Sequence, residues 1–201
     1  MIYIYGMIAS FSPYFMKSSF DIPNTKVNHK KKKRAPPSLF THFYKRVNQI
    51  DRTQIEDTTY NEWNERTLLA EKLENMKFKK KERIINNLVY EKEISLETLS
   101  VLCSYYKVNV YYIRGRTVVK MIYSDKPIWF TNDTNQFIDE VDVENYLDIS
   151  LEKPLKAVSG YCLAELKEMS LKLLLPIEKY KKQELYNSVK QVLGKLYKIE
   201  E

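Results

Sequence analysis

Glycine is scarce in this 201-residue chain, with four residues, and proline is little commoner, with seven. Sandwiches and barrels built of many short strands need frequent turn residues, so that class is excluded in favour of fewer, longer elements. The two cysteines, Cys103 and Cys162, stand far apart and form no metal-type spacing. A lone distant pair fits a reducing, intracellular compartment better than a secreted disulfide scaffold, and the plainest expectation is two small buried hydrophobes. No apolar run reaches the roughly 20 residues that span a bilayer. The apolar start, Met1 to Met16, has no basic segment before it and is interrupted at Pro13. That pattern suits neither a signal peptide nor a membrane helix, and Met16-Lys17 offers a second possible start. Glycine-rich phosphate loops, zinc spacings and nucleophile elbows are missing too, so no cofactor and no metal are expected.

Acidic residues are lacking in one region only. Residues 1–50 hold nine basic residues and a single acid, Asp21, whereas residues 51–201 carry 24 basic and 25 acidic residues. The net charge of +7 therefore originates in an N-terminal arm, ahead of a nearly neutral body. Within the arm, Lys30, Lys31, Lys32, Lys33 and Arg34 are contiguous and run into Pro36-Pro37. Such a block repels itself and cannot be buried, so residues 1–36 are expected to be extended and dispensable for the fold. The block resembles a monopartite nuclear localisation signal; as a phosphate-binding arm or a solubilising linker it would look the same.

Periodicity organises the rest. Ser38 reads as an N-cap before a helix carrying Leu39, Phe43, Val47 and Ile50 on one face. A second helix is expected over Trp63 to Lys79, with Leu69, Leu73 and Met76 inward. The basic run Lys77 to Arg83 leads into a third helix that buries Ile84, Ile85, Leu88 and Val89. Ser95 caps a fourth, bearing Leu96, Leu99, Leu102 and Cys103. The period then changes to two: Val108 to Ile113 and Thr117 to Tyr123 form a hairpin around Arg114-Gly115-Arg116, and Ile128 to Phe130 makes a third strand. Asp139 to Glu152 is acidic and irregular, with room for a strand or a short helix, and Pro154 to Gly160 reads as a hinge. The expected class is α+β: a helical N-terminal half, a small hairpin-based sheet and a C-terminal two-helix module, divided as 1–36, 37–153 and 154–201.

In the last segment Leu163, Leu166, Met169 or Ser170, and Leu173 share one face of a first helix, which Leu175-Pro176 ends. Lys181-Lys182-Gln183-Glu184-Leu185 opens a second helix, facing inward with Leu185, Val189, Val192 or Leu193, and Leu196. The pattern Leu-Lys-Glu, Leu-Pro, Lys-Lys-x-Glu-Leu over residues 161–196 resembles the SAP and Rho-N-terminal helix-extended-helix modules. That resemblance implies binding to DNA or RNA, with Lys179, Lys181 and Lys182 at the exposed start of the second helix, where backbone N–H groups suit a phosphate. One departure is Leu174, at a place where those modules usually have glycine. The chain is also similar to proteins of giant DNA viruses, above all in LETLSVLCSYYKVNVYYI, Leu96 to Ile113. This implies a viral setting, with nucleus, viral factory or virion as location and virion or nuclear-import proteins as further partners; no membrane is expected.

Two enzyme readings compete with binding. Cys103 preceded by His42, with Asp125 or Asp133 to orient it, has the chain order of some thiol proteases. However, Cys103 falls on the apolar stripe of its helix rather than at a helix start, where a thiolate is stabilised. Asp125, Asp133, Asp139 and Glu140 offer carboxylates for a nuclease, without the acid-x-Lys pair on a strand that metal chemistry favours. The expected function is therefore nucleic-acid binding without catalysis. The alternative is a virion structural or interaction protein whose basic arm has no specific nucleic-acid role.

Overall fold

Short polar side chains start the first helices. The computed structural model describes residues 37–49, 61–138, 140–177 and 181–197, all within one compact unit. The arm with Lys30 to Arg34, Ile50, Asp139 and Lys179 lie outside the described residues. Helix α1 (Leu39–Asn48) begins where Ser38 Oγ accepts the Thr41 N–H at 3.1 Å. Helix α2 (Glu62–Glu74) begins where the Asn61 side chain accepts the Trp63 N–H at 3.0 Å. It stops five residues short of the expected Lys79. Lys77, Lys79, Lys80, Lys81 and Arg83 crowd one stretch, and like charges four apart oppose a continuous helix. The chain instead turns, with Lys80 in the left-handed region at φ +54°, into α3 (Lys81–Tyr90). Ser95 caps α4 (Leu96–Tyr106), accepting the Thr98 N–H at 3.1 Å.

A buried arginine joins these helices. Arg66 on α2 is 4% exposed, and its guanidinium donates to the carbonyls of Leu88 (3.2 Å), Glu91 (2.7 Å) and Lys92 (3.1 Å). Leu88 lies in the last turn of α3, Glu91 is its C-cap and Lys92 follows, so the guanidinium takes up carbonyls at and just past the helix end. The charge is matched by Glu62 at 2.5 Å, and the guanidinium lies over the Phe40 ring of α1 at 5.0 Å. Glu62 also accepts from the Ser38 and Thr41 hydroxyls. Burial by itself would raise the Glu62 pKa; those hydroxyls and Arg66 outweigh it and hold the carboxyl below its ordinary value.

The sheet has five strands: β1 (Asn109–Arg114), β2 (Thr117–Met121), β3 (Ile128–Asn132), β4 (Phe137–Ile138) and β5 (Leu147–Asp148), in the order β4-β3-β1-β2-β5. Strands β1 and β2 form the expected hairpin, turned at Gly115, whose φ of +57° favours glycine. Strand β3 then lies parallel to β1 on its far side, Asn109 opposite Ile128. The connection from β2 must therefore cross the start of β1, and Asn109 makes this possible. This 3%-exposed amide donates to the carbonyls of Ser124 (2.8 Å) and Lys126 (2.6 Å) and accepts the N–H groups of Tyr123 (2.8 Å) and Ser124 (3.0 Å). Strand β4 is antiparallel to β3, and β5, inside the acidic stretch with room for a strand or a short helix, is parallel to β2. Among the described residues the class is α+β, with six α-helices and one mixed sheet.

One sheet face, with Val110, Tyr112, Val119 and Met121, closes the core made by Phe40, Phe43, Leu73, Leu88, Leu99 and Leu102. The segment 154–160 contains a 3-10 turn, Val158–Gly160, before α5 (Leu163–Lys172) and α6 (Lys182–Tyr197). These last helices do not stand apart from the core: Leu173, Val189 and Leu193 belong to the same apolar cluster. The Tyr197 and Thr117 hydroxyls meet at 2.5 Å, and Leu196 packs beside the Gly115 turn. Among the described residues no helix is long and apolar enough to cross a membrane.

Candidate nucleic-acid interface

The α5–α6 hairpin carries the two candidate lysines that lie among the described residues, Lys181 and Lys182. Helix α5 starts with a capping box: Cys162 Sγ accepts the Glu165 N–H at 3.4 Å, and the Glu165 carboxylate accepts the Cys162 N–H at 2.6 Å. Cys162 is therefore exposed, contrary to the expectation of a buried hydrophobe, because a capping side chain must sit at the open end of its helix. The Cys162 N–H, together with the positive charges of Lys156 and Lys182, holds the Glu165 carboxyl below its usual range. The inward face of the hairpin is Leu166, Ser170 and Leu173 against Leu185, Val189 and Leu193. Leu163, expected on that face, is 42% exposed at the first position of the helix.

Helix α5 ends in a Schellman turn. The Leu174 N–H donates to the Leu171 carbonyl at 2.9 Å and the Leu175 N–H to the Ser170 carbonyl at 2.8 Å. The geometry puts Leu174 in the left-handed region at φ +57°, the conformation that glycine adopts without strain. Helix α6 opens beyond it at the two described candidate lysines. The Lys181 N–H donates to Glu184 Oε2 at 2.8 Å. That N–H is thus occupied by the helix's own glutamate. Lys181 is exposed and Lys182 is half-buried.

Beside them lies a cluster that periodicity did not reveal. Tyr161 and Tyr186 have ring centroids 6.4 Å apart, and the Lys156 ammonium sits 5.8 Å from the Tyr161 centroid. The Tyr186 hydroxyl donates to the Lys156 carbonyl at 3.0 Å, and the Lys156 N–H donates to the Tyr161 oxygen at 3.0 Å. Segment 156–161 is thereby tied to the first turns of α6. The available signal was aromatic residues interleaved with lysines on both sides of α5, which is how nucleic-acid surfaces are often composed.

The other basic run is engaged within the body. Lys79 pairs with Glu152 at 3.3 Å, Lys80 with Glu97 at 2.7 Å, and Arg83 with Glu97 at 3.7 Å. Cys103 is 0% exposed, and burial pushes its thiol pKa well up, away from the reactive thiolate. Asp125 and Asp133 are exposed on separate loops, before and after β3. Among the described residues no three His, Cys, Asp or Glu side chains gather as a metal site would need. No family model matches the chain, and neither a curated protein nor a solved structure shows significant similarity to it.

Proposed function

We propose that this chain binds nucleic acid, with the basic block Lys30 to Arg34 supplying attraction and the α5–α6 hairpin the shaped contact. The observation that carries the reading is the uneven charge: nine basic residues against one acid in residues 1–50, ahead of a body that is close to neutral. Phosphate neutralisation and counterion release give such an arm its affinity without base contacts. The start of α6 adds Lys181 and Lys182, and Lys156 sits beside the Tyr161–Tyr186 pair. With the resemblance to helix-extended-helix modules and to giant-virus proteins, the setting is viral replication, transcription or packaging, in the nucleus, the viral factory or the virion.

Replacing Lys181 and Lys182 together by Glu tests the hairpin's share. If both ammonium groups meet phosphates, the slope of log affinity against log salt flattens by about 1.8 on duplex DNA, while the melting temperature holds. An unchanged slope and affinity would remove the hairpin from the interface and leave the arm alone. A second reading, an assembly protein, is favoured by the exposed leucines of α5 and the turn after it: Leu163 at 42%, Leu171 at 55% and Leu174 at 71%. Salt separates the two, because apolar association does not weaken as salt rises.

A further inference from the structure

A cleft of about 540 Å³ lies between α6 and the segment at Pro154-Leu155. That volume suits a ligand of nucleotide size. Its apolar part is Leu155 and Leu193; Tyr186 contributes a ring, Asn187 and Gln191 contribute amides, and Lys190 and Lys195 contribute positive charge. No acid is among its described lining residues. Asn187, Gln191 and Gly194 succeed one another at four and three residues, so a single strip of α6 borders the space. The wall is held in place, because the Tyr186 hydroxyl is bonded to the Lys156 carbonyl.

Gly194 is the residue that the fold does not explain. It lies within α6, where glycine is the least favoured residue after proline. No left-handed φ requires it, and a Cβ built there would meet nothing within 4 Å. Gly194 lines the cleft, and a side chain placed there would extend into open space beside α6.

Resting on the nucleic-acid reading above, we infer that the cleft receives one unpaired nucleotide. Its base lies against Tyr186 and the apolar floor, its polar edge faces Asn187 and Gln191, and its phosphate faces Lys190 and Lys195. Base-on-aromatic contact of this kind tolerates any sequence, whereas the amides give a preference among bases. The nucleotide comes either from a single strand or from the free pool. A base inside an intact duplex is stacked and paired and does not reach such a space.

The test uses the full chain, a labelled oligothymidylate of about 12 nucleotides, the same strand as a duplex, and ATP. Gly194→Leu fills the cleft without altering charge. The expected result is a loss of about tenfold or more on the single strand, an unchanged salt slope, and little effect on the duplex. Equal single-strand binding by parent and variant overturns the cleft and leaves the nucleic-acid reading standing. An equal loss on strand and duplex overturns base insertion. If the parent binds neither strand nor duplex, the nucleic-acid reading falls and ATP decides the cleft alone. ATP binding abolished by Gly194→Leu then supports a free-nucleotide site, and ATP binding that is absent or unaffected overturns it. Should Gly194→Leu not melt cooperatively, the exposed pair Asn187→Ala with Gln191→Ala replaces it. That pair should weaken the single strand about tenfold, and no loss would overturn the inference.

Discussion

Two positions on the terminal hairpin should respond to the same exchange with opposite sign. At Leu174 the Schellman turn imposes φ +57°, and the side chain is 71% exposed, so little packing depends on it. The left-handed region costs an ordinary L-residue about 1–2 kcal/mol, from which glycine is exempt. Glycine's greater freedom in the unfolded chain takes back about 0.4–1 kcal/mol. Leu174→Gly should therefore be more stable than Leu174→Ala by roughly 0.5–1 kcal/mol, or about 1–4 °C in melting temperature for a chain of this size. At Gly194 the backbone is helical and the space is open, so Gly194→Ala should stabilise by about 0.5–1 kcal/mol. Urea unfolding followed by far-ultraviolet circular dichroism measures all three variants, and equal m-values make the midpoints comparable. An alanine at 174 as stable as the glycine would mean that the turn is not left-handed. A destabilising alanine at 194 would mean that the space beside α6 is filled, and the cleft would fall with it.

Native protein treated with a maleimide should take up label quickly at Cys162 and not at Cys103, and Cys162→Ser should remove the rapid phase; fast labelling of Cys103 would revive a thiol chemistry. Glu62 has a depressed folded-state pKa, so the stability it contributes is present above its unfolded value near 4.5 and is lost as pH falls through the lower folded value. Glu62→Gln should cost about 1–3 kcal/mol at neutral pH and flatten the decline in stability below pH 4.5, which melts across an acid series would show. Asn109→Ala strips the crossing loop of four hydrogen bonds to its backbone and should cost about 2 kcal/mol or more, roughly 4–8 °C, read by calorimetry; a neutral result would mean that water replaces the amide.

Local chemistry determined which segments became helices and strands. Ser38 and Ser95 cap α1 and α4 because a hydroxyl at that position satisfies an N–H three residues on, a relation contained within one turn. The alternation from Val108 to Ile113 and the glycine at 115 specify a hairpin for the same reason: the interactions that decide it are neighbours in the chain. The position of Cys103 on an apolar stripe already implied its burial. The charge imbalance of the arm, likewise, is a property of composition alone.

Tertiary structure decided whatever depends on partners distant in sequence. The sequence holds no sign that β3 passes β1 and lies parallel on its far side, because the Asn109 amide that permits the crossing looks like any strand asparagine. The two-residue strands β4 and β5 are too short for a period and exist only through the strands beside them. Arg66 reads as one more helix charge until the end of α3 is brought to it across more than 20 residues of chain. The hairpin surface follows the same logic. Periodicity placed Lys181 and Lys182 at a helix start, but only folding joined the Tyr186 hydroxyl to the Lys156 carbonyl and opened a space beside Gly194, because groups 30 residues apart meet by packing rather than by spacing.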